Sequence, residues 1–393
     1  MKTGKPIIKP EKLRVAIVFD CLFPIQTGGA ERVYGRMAEI FKHMGHSVDY
    51  ITRNFSDSDT QKTFHIEGIW AGEIYNNQGN RIPKNAFLFS SSVFKYLSKN
   101  RTKYDLVFVS STPVLNLLAA SIALFRTRTT LIADWLEVWT LEQWKTYSGF
   151  LMGSLAFFLQ TIAIKTGKII TVNSDFTARR FRKYRTNVPL VKLDLIDLVE
   201  QDSVNVEKSF QQIRNILFVG RHIKDKQIEL LIQAMDHPAL QSENLCLQIV
   251  GSGQETSNLQ ALTKNLRFPQ KVQFLGKVSD EILALLMQQA TLLVNPSKRE
   301  GFGLVVAEAA QWGTPSVVIN EPDNAAKELI DPGVNGFIAE ESTTESLALA
   351  IKEALDSGSD LRVSTRNWFV QKSKLGGLTS SLNEILDLVK VVQ

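Results

Sequence analysis

Unbroken apolar runs of roughly five to seven residues recur along this chain, separated by stretches of helical periodicity. A strand covered on one face alternates apolar and polar residues. A run without alternation belongs to a strand buried on both faces, the state of a parallel sheet between two helix layers. The class is therefore α/β, with strands expected near 13–19, 48–52, 105–109, 130–133 and 168–172, and helices at 30–44, 114–125, 151–164 and 175–184 between them. The alternation then begins again, with strands at 215–219, 246–250, 272–275, 292–295 and 316–319. At 393 residues the chain is more than twice the roughly 150 at which one hydrophobic core is complete, so two doubly wound, Rossmann-like domains are expected. Their junction falls in the polar stretch 200–214, giving domains of 1–200 and 201–377.

The two halves differ in charge. Residues 1–200 carry 27 Lys and Arg against 17 Asp and Glu, and the remainder carries 18 against 23. The densest basic run is Arg179, Arg180, Arg182, Lys183 and Arg185, interleaved with Phe181 and Tyr184. A solvated helix face and an anionic membrane surface both suit such a run; nucleic acid is set aside because no nucleic-acid module accompanies it. Two cysteines, Cys21 and Cys246, are too few for a disulfide framework and lie in no zinc-like cluster, which fits a reducing compartment. The opening MKTGKPIIKPEK lacks the apolar segment of an export signal, and the apolar stretch 150–164 is shorter than a bilayer span. A cytoplasmic location is expected, with peripheral attachment to the inner face of the membrane through 150–164 and the Arg179 run.

In an open parallel sheet, ligands bind beyond the carboxyl ends of the strands, so the loops after the strands hold the candidate chemistry. The first strand leads to Gly28 and Gly29 ahead of a helix, where backbone N–H groups are free to meet an anion, though a plain turn reads the same way. The strand 215–219 leads to Arg221 and Lys226, two cations suited to a diphosphate, with Lys224 competing in the same loop. Gly251 and Gly253 follow the next strand in a turn that packing alone also explains. The strongest feature is VNPSKREGFGLVVAEAAQWGTP: Glu300 in a loop, Gly301 and Gly303 flanking Phe302, and Glu308 about 7 Å along the helix that follows. A carboxylate inside the apolar run LVVAEAA needs partners, and the hydroxyls of a sugar and a ribose would supply them.

Taken in order, GGAER, VGRHIKDK, IVGSG, the Glu300 and Glu308 pair with seven residues between, and EPDNAAKELIDPGVNGFIA resemble the family 4 retaining glycosyltransferases of the GT-B fold, from about residue 12 to residue 355. The resemblance implies two Rossmann-like domains facing each other across a cleft, with the final helix, 378–391, packed back on the first. It implies that Arg221 and Lys226 hold the donor diphosphate, that Glu300 contacts the donor sugar near the reacting carbon, and that Glu308 binds the ribose. The amides of Gly301, Phe302, Gly303 and Leu304 would complete that pocket, with Gly28, Gly29 and Gly251 also on the donor. The expected reaction moves a hexose from a nucleotide diphosphate sugar to a glycan or polyprenyl-linked acceptor, with no cofactor and no metal; Asp57-Ser58-Asp59 has DxD spacing but lies in a polar loop.

One departure stands out. Many relatives carry a His after the fourth strand of the first domain, and here that strand ends LIADWLEVW, with no His between His65 and His222. Asp134 is nearest the expected position and Glu137 follows three residues later. Asp134 is expected to take over the role by orienting or deprotonating the acceptor hydroxyl, against the alternative that it caps the loop while Trp135 and Trp139 pack. Two other functions stay open: a nucleotide-sugar epimerase, and a non-catalytic partner that binds donor or glycan.

Overall fold

Seven parallel strands form the first sheet of the computed structural model, which describes residues 12–26, 28–55, 62–76, 81–198, 214–241 and 243–392. They are β1 (Arg14–Val18), β2 (Ser47–Thr52), β3 (His65–Gly68), β4 (Leu106–Ser110), β5 (Thr130–Trp135), β6 (Ile169–Val172) and β7 (Leu190–Lys192), in the order β3-β2-β1-β4-β5-β6-β7. Successive side chains of β1 show why no polar residue interrupts it. Val15 and Ile17 enter the core on one face, and Ala16 and Val18 the core on the other.

The second half contains β8 (Arg214–Val219), β9 (Leu245–Val250), β10 (Val272–Gly276), β11 (Leu292–Asn295), β12 (Arg299–Glu300), β13 (Ser316–Ile319), β14 (Asp323–Asn324) and β15 (Gly336–Ala339). Six of these build a parallel sheet in the order β10-β9-β8-β11-β13-β15, while β12 and β14 pair with each other. Both sheets reverse direction of winding once, between β1 and β4 and between β8 and β11, and a crevice opens at the carboxyl ends there. The junction 200–213, the opening residues 1–11 and Asp57-Ser58-Asp59 lie outside the described residues.

The last helix, Gly377–Val392, returns to the first lobe. Its Leu378, Leu382, Ile385 and Val389, spaced by four, three and four, enter the same core as β1, and Asp197 accepts from the Leu378 N–H at 2.9 Å. Two helices of the first lobe have no counterpart in the sequence reading, Pro83–Lys99 and Leu141–Ser148. The first buries Ala86, Phe89, Val93 and Leu97 at helical spacing, but Phe87, Leu88 and Phe94 lie exposed on its other side and blur the period.

The arginine run is not a free surface patch. It sits on the helix Asp175–Arg182 and the turn after it. Arg179 pairs with Glu328 at 2.7 Å and Arg180 with Asp323, both on the second lobe. Arg182 donates to the Val188 carbonyl at 3.0 Å, and Arg185 to the Thr166 and Gly167 carbonyls at 2.6 and 3.0 Å. These guanidinium groups join lobes and close turns, while Arg179, 65% exposed, and Lys183 still face outward. The helix Phe150–Ala163 behaves differently: only Gly153, Gln160 and Ala163 are buried, while Phe150, Leu151 and Phe158 are 69%, 79% and 59% exposed.

Candidate active site

The switch point of the second sheet carries a cation and a carboxylate in contact. Lys226 closes the short turn after β8, and its Nζ donates to Glu300, which sits in β12 beyond β11. Glu300 also accepts from Ser297 Oγ at 3.0 Å and Asn295 Nδ2 at 3.2 Å. Burial alone would raise its carboxyl pKa, but the charge of Lys226 and these donors outweigh burial and hold it below the usual carboxylate range. Arg221, at the end of β8, is exposed and has no side-chain partner among the described residues. Its charge reaches Glu31 of the first lobe, whose carboxyl burial pushes up.

Two helix N-termini meet at this place. The helix Gly29–His43 starts at Gly28 and the helix Leu304–Gln311 at Gly303; neither N-cap residue supplies a side-chain bond, but at the first the buried Glu31 carboxylate folds back over Gly28, so it is the second that leaves its N–H donors for a ligand. They are close enough that a Cβ on Gly29 would lie 2.7 Å from Leu304 Cδ1. Likewise, a Cβ on Gly301 would lie 3.0 Å from the Leu136 carbonyl oxygen of the first lobe. Phe302 packs into the cores of both lobes.

Glu308, inside the second helix, is paired across the cleft with Arg32 at 3.2 Å, and Arg32 also holds Asp280 at 2.6 Å. Burial raises the Glu308 carboxyl pKa, with Arg32 opposing it. A cavity of about 390 Å³ opens beside this pair, lined by Arg32, Asp280, Met287, Glu308 and Trp312 among others. It lies at the Glu308 end of the cleft and does not reach Lys226 and Glu300.

Two family models match, one per lobe: Glycosyltransferase Family 4 over residues 27–196 and Glycosyl transferases group 1 over residues 200–373. The chain belongs to the family 4, group 1 glycosyltransferases. An uncharacterized glycosyltransferase of Methanocaldococcus jannaschii is 36% identical over 163 residues, covering 41% of each chain. Across the first curated relatives it matches, this chain spans between 33% and 56% of their length. Among solved structures, sucrose-phosphate synthase from Thermosynechococcus elongatus aligns with a TM-score of 0.80 at 17% identity, over 97% of this chain and 100% of that one. HepE of Anabaena in complex with UDP and glucose aligns with a TM-score of 0.71 at 18% identity, over 96% and 100%. At such identities the likeness shows the fold, which is GT-B.

In this glycosyltransferase family member Asp134 is sealed beneath the cleft. It is 1% exposed, with one carboxylate oxygen taking the Tyr34 hydroxyl and the other Thr171 Oγ1 at 2.5 Å. Both oxygens are committed to the protein, so the geometry does not offer this carboxylate to an acceptor hydroxyl. Burial pushes its pKa up to about 6. An acid whose folded pKa lies above its unfolded value is penalised once it must ionise, so stability falls as pH rises from about 4 through 6. Asp134→Asn is therefore expected to gain about 2 kcal/mol relative to wild type between pH 4 and pH 7. Thermal melts at the two pH values check it; parallel curves would contradict it.

At Gly251 only glycine fits, because a Cβ there would run into the Gly220 carbonyl oxygen. His222 is buried beneath the same loop with Nδ1 on Thr256 Oγ1 at 2.9 Å. Sequence reading missed the cross-cleft partners Arg32, Asp280 and Arg299. Arg32, in the first turn of a helix that begins at a glycine pair, was the one with a local signal, a cation placed where a ligand's anion would arrive.

Proposed function

We propose that this chain transfers a hexose from a nucleotide diphosphate sugar to a saccharide acceptor, glycan or polyprenyl-linked, with retention of anomeric configuration and without metal or cofactor. The observation that carries the reading is the contact of Lys226 with Glu300 at the second sheet's switch point, beside the uncapped N-terminus of the helix Leu304–Gln311. The bond from the anomeric carbon to the diphosphate breaks, and a bond to the acceptor oxygen forms on the same face. The acceptor's proton passes to the departing diphosphate oxygen. Arg221, Lys226 and the helix ends balance the charge that collects on that diphosphate, the task a metal ion performs elsewhere. Glu300 takes a donor-sugar hydroxyl and Glu308, released from Arg32, takes the ribose.

A panel of UDP, GDP and ADP sugars with mixed glycan acceptors tests it. Acceptor-dependent release of nucleotide is expected. Interconversion of the sugar without transfer would indicate an epimerase, and binding without turnover a non-catalytic partner. HepE of Anabaena was solved with UDP and glucose, which makes UDP-glucose the first donor to try.

No helix among the described residues is long and apolar enough to cross a membrane. We place the chain peripherally on an anionic leaflet through the outward apolar face of Phe150–Ala163. No Asp or Glu occurs between Gln143 and Ser174, whereas Lys145, Lys165 and Lys168 do, and Lys145 lies 4.4 Å from the Phe150 ring centroid. Burying a side chain such as Leu151 or Phe158 in the interface is worth about 2 kcal/mol. The double variant Leu151→Asp, Phe158→Asp should thus lower cosedimentation with phosphatidylserine-containing vesicles more than tenfold, and wild-type binding should persist in part at 1 M salt. Complete release by salt would contradict this mode.

A further inference from the structure

We infer that Glu137 is the carboxylate that the first lobe presents to the sugar being transferred, a contact that rests on the donor-site reading above. Glu137 lies three residues beyond Asp134, just past the end of β5. Its Cγ would be 3.5 Å from a Cβ on Gly301, so its side chain lies against the loop that links Glu300 to the helix Leu304–Gln311. It is also within electrostatic reach of both Glu300 and Lys226.

One end of this carboxylate is fixed and the other is not. Oε2 accepts from Trp139 Nε1 and lies 3.9 Å from Arg299 Nε. Arg299 is itself held, by Asp225 at 2.6 Å and by the face of Trp139, 4.2 Å from its centroid. Oε1 has no partner among the described residues, and the side chain is 32% exposed. A carboxylate with one oxygen anchored in a rigid frame and one open is preorganised to accept a hydrogen bond from a ligand hydroxyl. Burial raises its pKa, and the charge of Arg299 opposes that rise only in part.

The chemistry follows from position. As the bond from the anomeric carbon to the diphosphate breaks, positive charge grows on the hexose ring. Glu137 accepts a hydroxyl of that ring from the first-lobe side, beside the Gly301–Gly303 loop that it touches, and its negative charge offsets the growing cation. The acceptor's proton still goes to the diphosphate, so Glu137 neither gains nor loses a proton. A carboxylate that only anchored Arg299 would act on lobe closure and hence on nucleotide affinity as well.

Glu137→Gln separates the two. Glutamine preserves shape and still accepts from Trp139, but cannot offset the ring's charge. UDP affinity is measured by calorimetry, and turnover with whichever sugar of a UDP, GDP and ADP panel the wild type consumes fastest, using hydrolysis to water if no acceptor is known. Expected are UDP affinity within twofold of wild type, a melting temperature within a few degrees, and kcat lower by about 100-fold. A kcat within threefold of wild type, or loss of UDP affinity in step with kcat, overturns the inference while leaving the donor site intact. Failure of the wild type to bind any of the three nucleotides overturns the donor-site reading itself, and this inference with it.

Discussion

Lys226→Ala is expected to reduce kcat/KM for nucleotide-sugar consumption by about 10²- to 10³-fold, the usual cost of losing one preorganised group aimed at developing charge. The loss comes from two directions. The departing diphosphate is left with Arg221 and the helix ends, and Glu300 loses the cation that fixes its orientation. Ser297 and Asn295 still donate to Glu300, so the loop should not collapse outright. The pH dependence gives an independent readout. In the wild type the Glu300 pKa is depressed, so the pair contributes stability above the carboxyl's unfolded pKa, and that contribution is lost as pH falls through the folded value. In the variant burial wins and the pKa rises, so the charged form becomes a penalty toward neutral pH. The variant should be about 2 kcal/mol less stable near pH 7, with a smaller deficit near pH 4 that closes only below the folded pKa of Glu300. An equal deficit at both pH values, together with activity within threefold of wild type, would show that the pair is neither coupled nor functional.

Gly251→Ala should be among the most damaging single methyl groups in the second lobe. The backbone there has φ +123, a region that L side chains rarely enter, and the new Cβ meets the Gly220 carbonyl oxygen, which cannot swing aside as a side-chain end can. Strain and overlap together cost about 3 kcal/mol or more, enough to lower the melting temperature by several degrees in a chain of this size. Gly220 directly precedes Arg221, so any relief obtained by moving that backbone displaces the diphosphate cation. Nucleotide affinity should therefore fall at least tenfold in the fraction that folds. Gly276→Ala is the control: φ there is +67, but nothing lies within 4 Å of the added atom. It should cost about 1 kcal/mol and leave nucleotide affinity unchanged. Equal effects of the two substitutions would mean that close approach to Gly220 is not what glycine provides at 251.

The sheets were legible because a strand buried on both faces writes itself as an unbroken apolar run, as VAIV within Arg14–Val18 and LLV within Leu292–Asn295 do. Arg221, Lys226, Glu300 and Glu308 were legible for a related reason. Each lies within a few residues of a strand end or on the helix just after it, so sequence distance and spatial distance agree. The pairs that hold the lobes together were not. Arg32 and Glu308 are 276 residues apart, and Arg180 and Asp323 are 143 apart. Their meeting depends on how two separately folded lobes face each other, which no local pattern records. The same limit explains Asp134 and Glu137. Both belong to one short segment of acidic and aromatic residues, and only the point where β5 ends decides which carboxylate is sealed by Tyr34 and Thr171 and which emerges beside Gly301.

Thermal shift of wild type and Lys226→Ala against UDP, GDP and ADP sugars bears most directly on whether an activated sugar is held by its diphosphate between the lobes. A ligand that binds only the folded chain raises its stability by mass action, so at 100 times its dissociation constant a true donor adds about 2.7 kcal/mol. Expected is a clear rise in melting temperature for the wild type with one base class and its near absence in Lys226→Ala. No rise with any nucleotide sugar, or the same rise in both proteins, would contradict the assignment.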